Sequence, residues 1–197
     1  GKNSAHWILA DLAIWMAGYV SVPIYPTFNG QALRYILEHS GAKVCFVGEL
    51  DEVSALTDGV PEGVQMIALP LAPASLKITT WKSLVATSKP LQGETQRDGE
   101  ELCTVIYTSG TTGNPKGVMH KFNAMAWGLK TATAPGRVQL QATDRYLSYL
   151  PLAHIAERML IEQGALVNGG QIFFAESLDT FVQDLQRARP TVFFSVP

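Results

Sequence analysis

Residues 107–117 read YTSGTTGNPKG and hold the densest set of anion-binding groups in the chain. Glycines let a backbone turn sharply and bring its N–H groups close to a ligand. Charge-assisted hydrogen bonds of this kind contribute about 1.5 to 3 kcal/mol each when shielded from water. The stretch therefore predicts a phosphate-binding loop, with an ordinary flexible turn as the alternative. The candidate binding residues are Thr108, Ser109, Gly110, Thr111, Thr112, Gly113, Lys116 and Gly117.

The position of this phosphate loop, residues 107–117, supports the same interpretation. It follows the apolar run LCTVI, a predicted buried strand, and precedes a predicted helix that begins near KFNAMAW. Open α/β sheets bind ligands at the carboxyl ends of their strands. Lys116 follows Pro115 and precedes Gly117, so the Walker A pattern fails, and no G-x-G-x-x-G supports a nicotinamide or flavin site.

Apolar strands and helices alternate along the rest of the chain. Strands that are apolar throughout are typical of parallel sheets covered by helices. The predicted fold class is therefore α/β, with layered, largely parallel sheets flanked by helices. A polar, glycine-containing segment at 88–100 is the best linker candidate, and it would separate subdomains 1–90 and 101–197. The predicted strands are SVPIYP, KVCFVG, GVQMIAL, LCTVIY, RYLSYL, QIFFA and TVFFSV, and the predicted helices include GQALRYILEHSG, WKSLVATS, AERMLIEQGALVNG and LDTFVQDLQRAR.

Composition narrows the classes of function. A net charge of −2 over 197 residues gives no electrostatic basis for binding nucleic acid. Cys45 and Cys103 lie in apolar runs without metal-ligand spacing and are interpreted as buried thiols, which favours the cytoplasm. Asp11 interrupts the most apolar segment, which favours a core helix over a membrane span. The absence of an initiator Met and the abrupt apolar end favour a piece of a longer protein.

YTSGTTGNPKG resembles the signature loop of the adenylate-forming superfamily, which includes acyl-CoA synthetases, firefly luciferase and the adenylation domains of peptide synthetases. SYLPLAHIAERM, at 148–159, is similar to the second motif of long-chain acyl-CoA synthetases. GYVSVPIYPT and TVFFSVP resemble further segments of these enzymes. The resemblance covers essentially the whole chain, and implies a partial N-terminal AMP-binding domain over residues 1–197.

The resemblance implies a two-step reaction. A carboxylate attacks the α-phosphorus of ATP to give an acyl-adenylate and pyrophosphate, and coenzyme A then takes the acyl group. The substrates would be ATP, a fatty acid and coenzyme A, with Mg²⁺ as the metal. Residues 108–113, Lys116 and Gly117 would hold the β and γ phosphates, with Thr108 beside Mg²⁺ and Lys116 in a catalytic role. No chemical role is assigned to Asn114 and Pro115.

His154 is the second catalytic candidate, and the resemblance places it at the acyl and adenylate pocket. The alternative is a histidine at a helix start that bonds only to the backbone. Glu157 and Arg158 could share a helical face with His154, and they either brace the helix or take part in catalysis. No other His or Cys stands at ligand spacing, which argues against a metal site here.

Three functions remain open. The first is the N-terminal part of a long-chain fatty acid:CoA ligase, in the cytoplasm and with peripheral membrane contact. The second is an adenylating enzyme with another acid or acceptor, and the third is a non-catalytic nucleotide-binding module. The resemblance places the adenine and ribose sites and a catalytic lysine outside these 197 residues. The fragment alone is therefore expected to be inactive.

Overall fold

The computed structural model describes residues 1–93, 95–108 and 114–195. The chain forms two compact units, Gly1–His120 and Lys121–Pro197, and each is considered by itself. The subdivision predicted at 88–100 stays a prediction.

The first unit is built on a parallel sheet and a separate strand pair. Its helices are α1 (Ala5–Met16), α2 (Gly30–Ser40), α3 (Ser54–Gly59) and α4 (Trp81–Thr87). Its strands are β1 (Val44–Val47), β2 (Gln65–Ala68), β3 (Thr79–Thr80), β4 (Leu102–Thr108) and β5 (Lys116–Lys121). Strands β1, β2 and β3 are parallel neighbours in that order, and β4 pairs with β5.

Local sequence explains why α2 forms and where it ends. The Asn29 side chain accepts a hydrogen bond from the Ala32 amide at 2.9 Å, which caps the first turn. Gly41 then ends the helix in the left-handed conformation, with φ at 66°. The apolar face of α2 is buried in the core of this unit. That core cluster consists of Leu33, Leu37, Val47 and Leu56.

Arg97 ties the predicted linker segment to the end of α1. Its guanidinium donates hydrogen bonds to the backbone oxygens of Trp15 at 2.9 Å and Tyr19 at 3.1 Å. The same group forms an ion pair with Glu101 at 2.6 Å. Hydrogen bonds from the Asp98 backbone and from Arg97 lower the pKa of Glu101 below its usual value. The carboxyl end of this segment is therefore held in place.

The second unit contains the parallel strands β6 and β7, joined by a helical crossover. Its elements are α5 (Phe122–Ala132), β6 (Arg145–Ser148), α6 (Ile155–Glu157), a π-helical segment (Arg158–Gln163), α7 (Gly164–Asn168), β7 (Gln171–Phe174) and α8 (Phe181–Ala188). Tyr146, Ile161 and Ala165 form its buried cluster. Parallel strands need such a crossover because a short turn cannot join them.

The parallel sheets and covering helices confirm the predicted α/β fold class. Some elements differ from the prediction. A strand that was not predicted, β5, begins at Lys116 within the loop sequence 107–117, and the helix predicted near KFNAMAW follows it from Phe122. SVPIYP and TVFFSV each contribute a single bridge among the described residues, Ser21 with Thr104 and Tyr146 with Val192. The helix predicted over AERMLIEQGALVNG contains the π-helical segment.

Candidate functional site

The phosphate loop connects two strands that pair with each other. Strand β4 ends at Thr108, β5 begins at Lys116, and the two strands are hydrogen-bonded neighbours. The side chains of Thr108 and Lys116 are both exposed. The remaining predicted binding residues, Ser109, Gly110, Thr111, Thr112 and Gly113, lie outside the described residues. The structure thus defines the base of the loop, with a hydroxyl at one end and an ammonium at the other.

Gly117 lies where there is no space for a side chain. A Cβ atom at this position would be 2.7 Å from Cγ1 of Val105 and 3.2 Å from Cζ of Tyr107. Real Cβ atoms do not approach other atoms at 2.7 Å, so β5 can lie this close to β4 only with glycine here. The phosphate contact of Gly117 stays a prediction. Its role in the close packing of β5 on β4 is seen in the structure.

Strand β4 is fixed from its other side by side-chain hydrogen bonds to α1 and the segment after it. The indole N–H of Trp15 donates to the Cys103 carbonyl at 2.7 Å. The Thr104 hydroxyl donates to the Ser21 carbonyl at 2.9 Å. Cys45 and Cys103 are not joined in a disulfide; Cys103 is buried, as expected, whereas Cys45 is only partly buried. The strand that carries Thr108 is therefore held rigidly.

His154 caps the start of α6 in the second unit. Its Nδ1 accepts a hydrogen bond from the Ala156 amide at 3.2 Å, and the side chain is exposed. Because Nδ1 is the acceptor, the neutral ring carries its proton on Nε2. The structure thus shows His154 bonded to the backbone at a helix start. The Nε2–H group takes no part in this capping hydrogen bond. The pocket role of His154 stays a prediction.

Three ionisable side chains that follow this histidine in the sequence, Glu157, Arg158 and Glu162, are fully buried. Arg158 Nε lies 3.5 Å from Glu162 Oε2, and both side chains are 0 % exposed. Burial raises the pKa of Glu157 to about 7, although the Ser148 side chain and Tyr149 backbone favour its charged form. Arg158 thus pairs with Glu162, a residue that the sequence analysis overlooked. Its i, i+4 spacing from Arg158 was the available sign.

The predicted residues fall in different units. Thr108, Lys116 and Gly117 lie together in the first unit, and His154 lies in the second. In residues 1–93, 95–108 and 114–195, no group of three His, Cys, Asp or Glu side chains could hold a metal ion. Across the same residues, the helices are too short or too polar to cross a membrane.

The fold is that of the N-terminal domains of adenylate-forming enzymes. An anthranilate CoA ligase, AuaEII, in complex with anthranoyl-AMP superposes with a TM-score of 0.80 at 20% identity, covering 98% of this chain and 38% of that one. The AMP-binding enzyme family matches residues 1–197, and the chain belongs to this family.

Curated relatives are acyl-CoA ligases. The long-chain-fatty-acid–CoA ligase ACSBG2 of Xenopus laevis is 33% identical over 216 residues, covering 100% of this chain and 29% of the relative. Long chain acyl-CoA synthetase 4 of Arabidopsis thaliana is 30% identical, covering 100% and 32%. The chain thus spans about a third of the length of these relatives.

Proposed function

We propose that this chain is the N-terminal part of an ATP-dependent long-chain fatty acid:CoA ligase. The observation that carries the proposal is the strand pair β4–β5, which holds the ends of a phosphate loop with the family's sequence. Membership of the AMP-binding enzyme family supports adenylation as the first step. The long-chain substrate rests on the curated relatives, whose names specify it.

The loop residues would bind the β and γ phosphates of ATP. Two anions, the acyl carboxylate and the triphosphate, must meet in this reaction, so the site needs positive charge and oriented donors. The ammonium of Lys116 would stabilise the charge that moves onto the leaving pyrophosphate. Residues 108–113 would add hydroxyl and backbone donors, and the close β4–β5 packing at Gly117 would keep these donors in place.

Mg²⁺ would be held mainly by the phosphates of ATP, because this ion keeps several waters and uses few protein ligands. The exposed Thr108 hydroxyl at the end of β4 is an oxygen donor of the right kind for this ion. When bound, the ion would neutralise phosphate charge during adenylation. One protein hydroxyl, that of Thr108, is enough for a Mg²⁺ ion that is bound mainly by ATP.

His154 would line the approach of the carboxylate. With Nδ1 occupied by the Ala156 amide, the neutral ring offers the Nε2 proton as a hydrogen-bond donor. A donor at this position suits an incoming carboxylate or the carbonyl oxygen of an acyl-adenylate. It does not suit a general base.

A second candidate is an adenylating enzyme that acts on another acid. The structural neighbours support this candidate, because they include an anthranilate CoA ligase and a malonyl-CoA ligase. These proteins share the fold at 20% and 24% identity. The base of the loop would serve either substrate equally.

The test is acid-dependent exchange of pyrophosphate into ATP, measured with short, medium and long acids. The full-length protein and residues 1–197 are assayed side by side. Exchange by the full-length protein with long acids, and none by residues 1–197, supports the proposal. Exchange only with short or aromatic acids favours the second candidate. No exchange by either protein with any acid would overturn both and leave a non-catalytic nucleotide-binding module.

A further inference from the structure

We propose that Tyr107 and His39 are positioning residues of the phosphate loop, linking its base to the core of the first unit. The inference rests on the proposed function, because it assumes that the loop binds ATP. Neither residue is expected to touch the nucleotide. They would act by fixing the ends of the segment that does.

The link between the two residues is a partly buried hydrogen bond. The Tyr107 hydroxyl lies 2.7 Å from Nδ1 of His39, and the tyrosine is only 1 % exposed. Their rings meet edge to face, with centroids 5.8 Å apart. A buried hydroxyl needs a partner, because leaving it unpaired costs the full free energy of its desolvation. Tyr107 therefore has one preferred placement while His39 is present.

Tyr107 touches both ends of the loop at once. It directly precedes Thr108, where the loop leaves β4. Its ring also lies against Gly117 on β5, where a Cβ would be 3.2 Å from Cζ and 3.4 Å from Cε1. Tyr107 and Gly117 thus lie immediately before and after the span from Thr108 to Lys116, and the tyrosine ring packs on the glycine.

His39 connects Tyr107 to a helix that is packed in the core. It lies in the last turn of α2, whose residues Leu33 and Leu37 belong to the core cluster of the first unit. Tyr35, one turn earlier, stacks on the imidazole at 5.3 Å with an interplanar angle of 26°. The imidazole is therefore held by a stacked ring on one side and by the tyrosine hydroxyl on the other.

The expected consequence is specific for ATP. A binding segment whose ends are already held in place by the rest of the protein has a smaller entropic cost of binding phosphates. Removing the hydrogen bond should weaken ATP binding and leave fatty acid binding unchanged. A contribution to folding alone would affect every substrate to the same extent.

The test uses Tyr107→Phe and His39→Phe in the full-length protein, together with the double variant. Both substitutions keep an aromatic ring, so the packing on Gly117 and the stack on Tyr35 are retained. The control is Tyr19→Phe, which removes a hydroxyl from a side chain that is 69 % exposed. The Kd for MgATP is measured by calorimetry, and KM for ATP, fatty acid and coenzyme A by steady-state kinetics.

Each single variant is expected to raise the Kd and KM for ATP about 3- to 10-fold, with the other two KM values unchanged. The double variant should be no worse than either single one, because both remove the same bond. Unchanged ATP binding in both single variants would overturn the inference. Equal rises in all three KM values, accompanied by a lower Tm, would also overturn it.

His39→Phe decides the question if Tyr107→Phe does not fold, since His39 is exposed. The calorimetric measurement separates this inference from the proposed function. A wild-type protein that binds MgATP but shows no exchange with any acid refutes the ligase activity. The effect of the variants on its Kd would still decide the roles of Tyr107 and His39.

Discussion

At the scale of single residues, Gly117 has the least room for change at the base of the phosphate loop. Gly117→Ala should lower kcat/KM for ATP about 10- to 100-fold, because the new methyl group forces β5 away from β4 and displaces the loop. The nearest obstacle is Cγ1 of Val105, at 2.7 Å from the added Cβ. Steady-state kinetics with ATP as the varied substrate measures the effect.

Two further variants test this explanation. Adding Val105→Ala to Gly117→Ala should restore part of the activity, because the closest atom is removed. Gly48→Ala is the matched control, since its added Cβ would meet no atom closer than 3.5 Å. A Gly117→Ala protein with the activity of the wild type would show that the strand pair does not position the loop.

Lys116 contributes charge instead of packing. Its side chain is exposed at the start of β5, beside the segment predicted to hold the phosphates. Lys116→Ala should lower kcat/KM for ATP by about 10- to 1,000-fold, as expected when one charge-stabilising contact is lost. Lys89→Ala, which removes an exposed lysine elsewhere in the same unit, is the control. A value equal to that of the wild type would remove Lys116 from the mechanism.

The residue types of the loop predict a chemistry, phosphate binding, but they do not predict the geometry at the base of the loop. The hydroxyls, glycines and single lysine of YTSGTTGNPKG indicate phosphate binding from composition and spacing alone. The Tyr107–His39 hydrogen bond joins positions 68 residues apart, and no local pattern predicts such a pair. Likewise, the reason for glycine at 117 becomes visible only when Val105 and Tyr107 are placed opposite it.

At the scale of elements, the segment from α6 through the π-helix buries three ionisable side chains in the turns that follow His154. Burial raises the pKa of Glu157 from its ordinary 4.5 to about 7. Between these pH values the folded protein holds a proton that the unfolded chain releases. The free energy of unfolding should therefore fall as pH rises from about 4.5 to 7, by up to about 3 kcal/mol, and then level off.

Urea unfolding at a series of pH values measures this slope. Glu157→Gln should flatten it, because the amide does not titrate in this range. Glu52→Gln, a change at an exposed carboxylate, should leave it unchanged. The interpretation fails if the wild type and Glu157→Gln show the same dependence on pH between 4.5 and 7.

Elements with strong local patterns were predicted well, and those that depend on partners were not. Asn29 and Gly41 mark the ends of α2 in the sequence as clearly as in the structure. Strand β5, in contrast, reads KGVMHK and lacks a buried face, so its extended form depends on pairing with β4. The π-helical segment was also missed, because a helix with one extra residue per turn keeps the apolar composition of an ordinary helix.

At the scale of the whole molecule, the sequence motifs indicated the family before any geometry was known. The family match over residues 1–197 and the fold of adenylate-forming enzymes agree with that prediction. The division into units could not be predicted in the same way. Composition marks a polar stretch at 88–100, but the packing of distant segments determines which parts of the chain form a compact body.

The attachment of Arg97 to the end of α1 has a consequence for protease access. Chymotrypsin should cut readily after Leu91, which is 60 % exposed at the start of the polar stretch. Trypsin should cut slowly after Arg97, because that side chain is only 12 % exposed and must leave the Trp15 and Tyr19 carbonyls to enter the enzyme. Limited proteolysis followed by mass spectrometry would compare the two sites.

Glu101→Gln should accelerate the cut after Arg97 alone, since it removes the ion pair that holds the guanidinium. Equal rates at both sites in the wild type would show that Arg97 does not anchor the segment. If the anchor holds, a truncation placed after Leu91 should leave Gly1–Leu91 with the end of α1 uncovered. A truncation placed after Glu101 would instead keep α1 and the Arg97–Glu101 ion pair on one polypeptide.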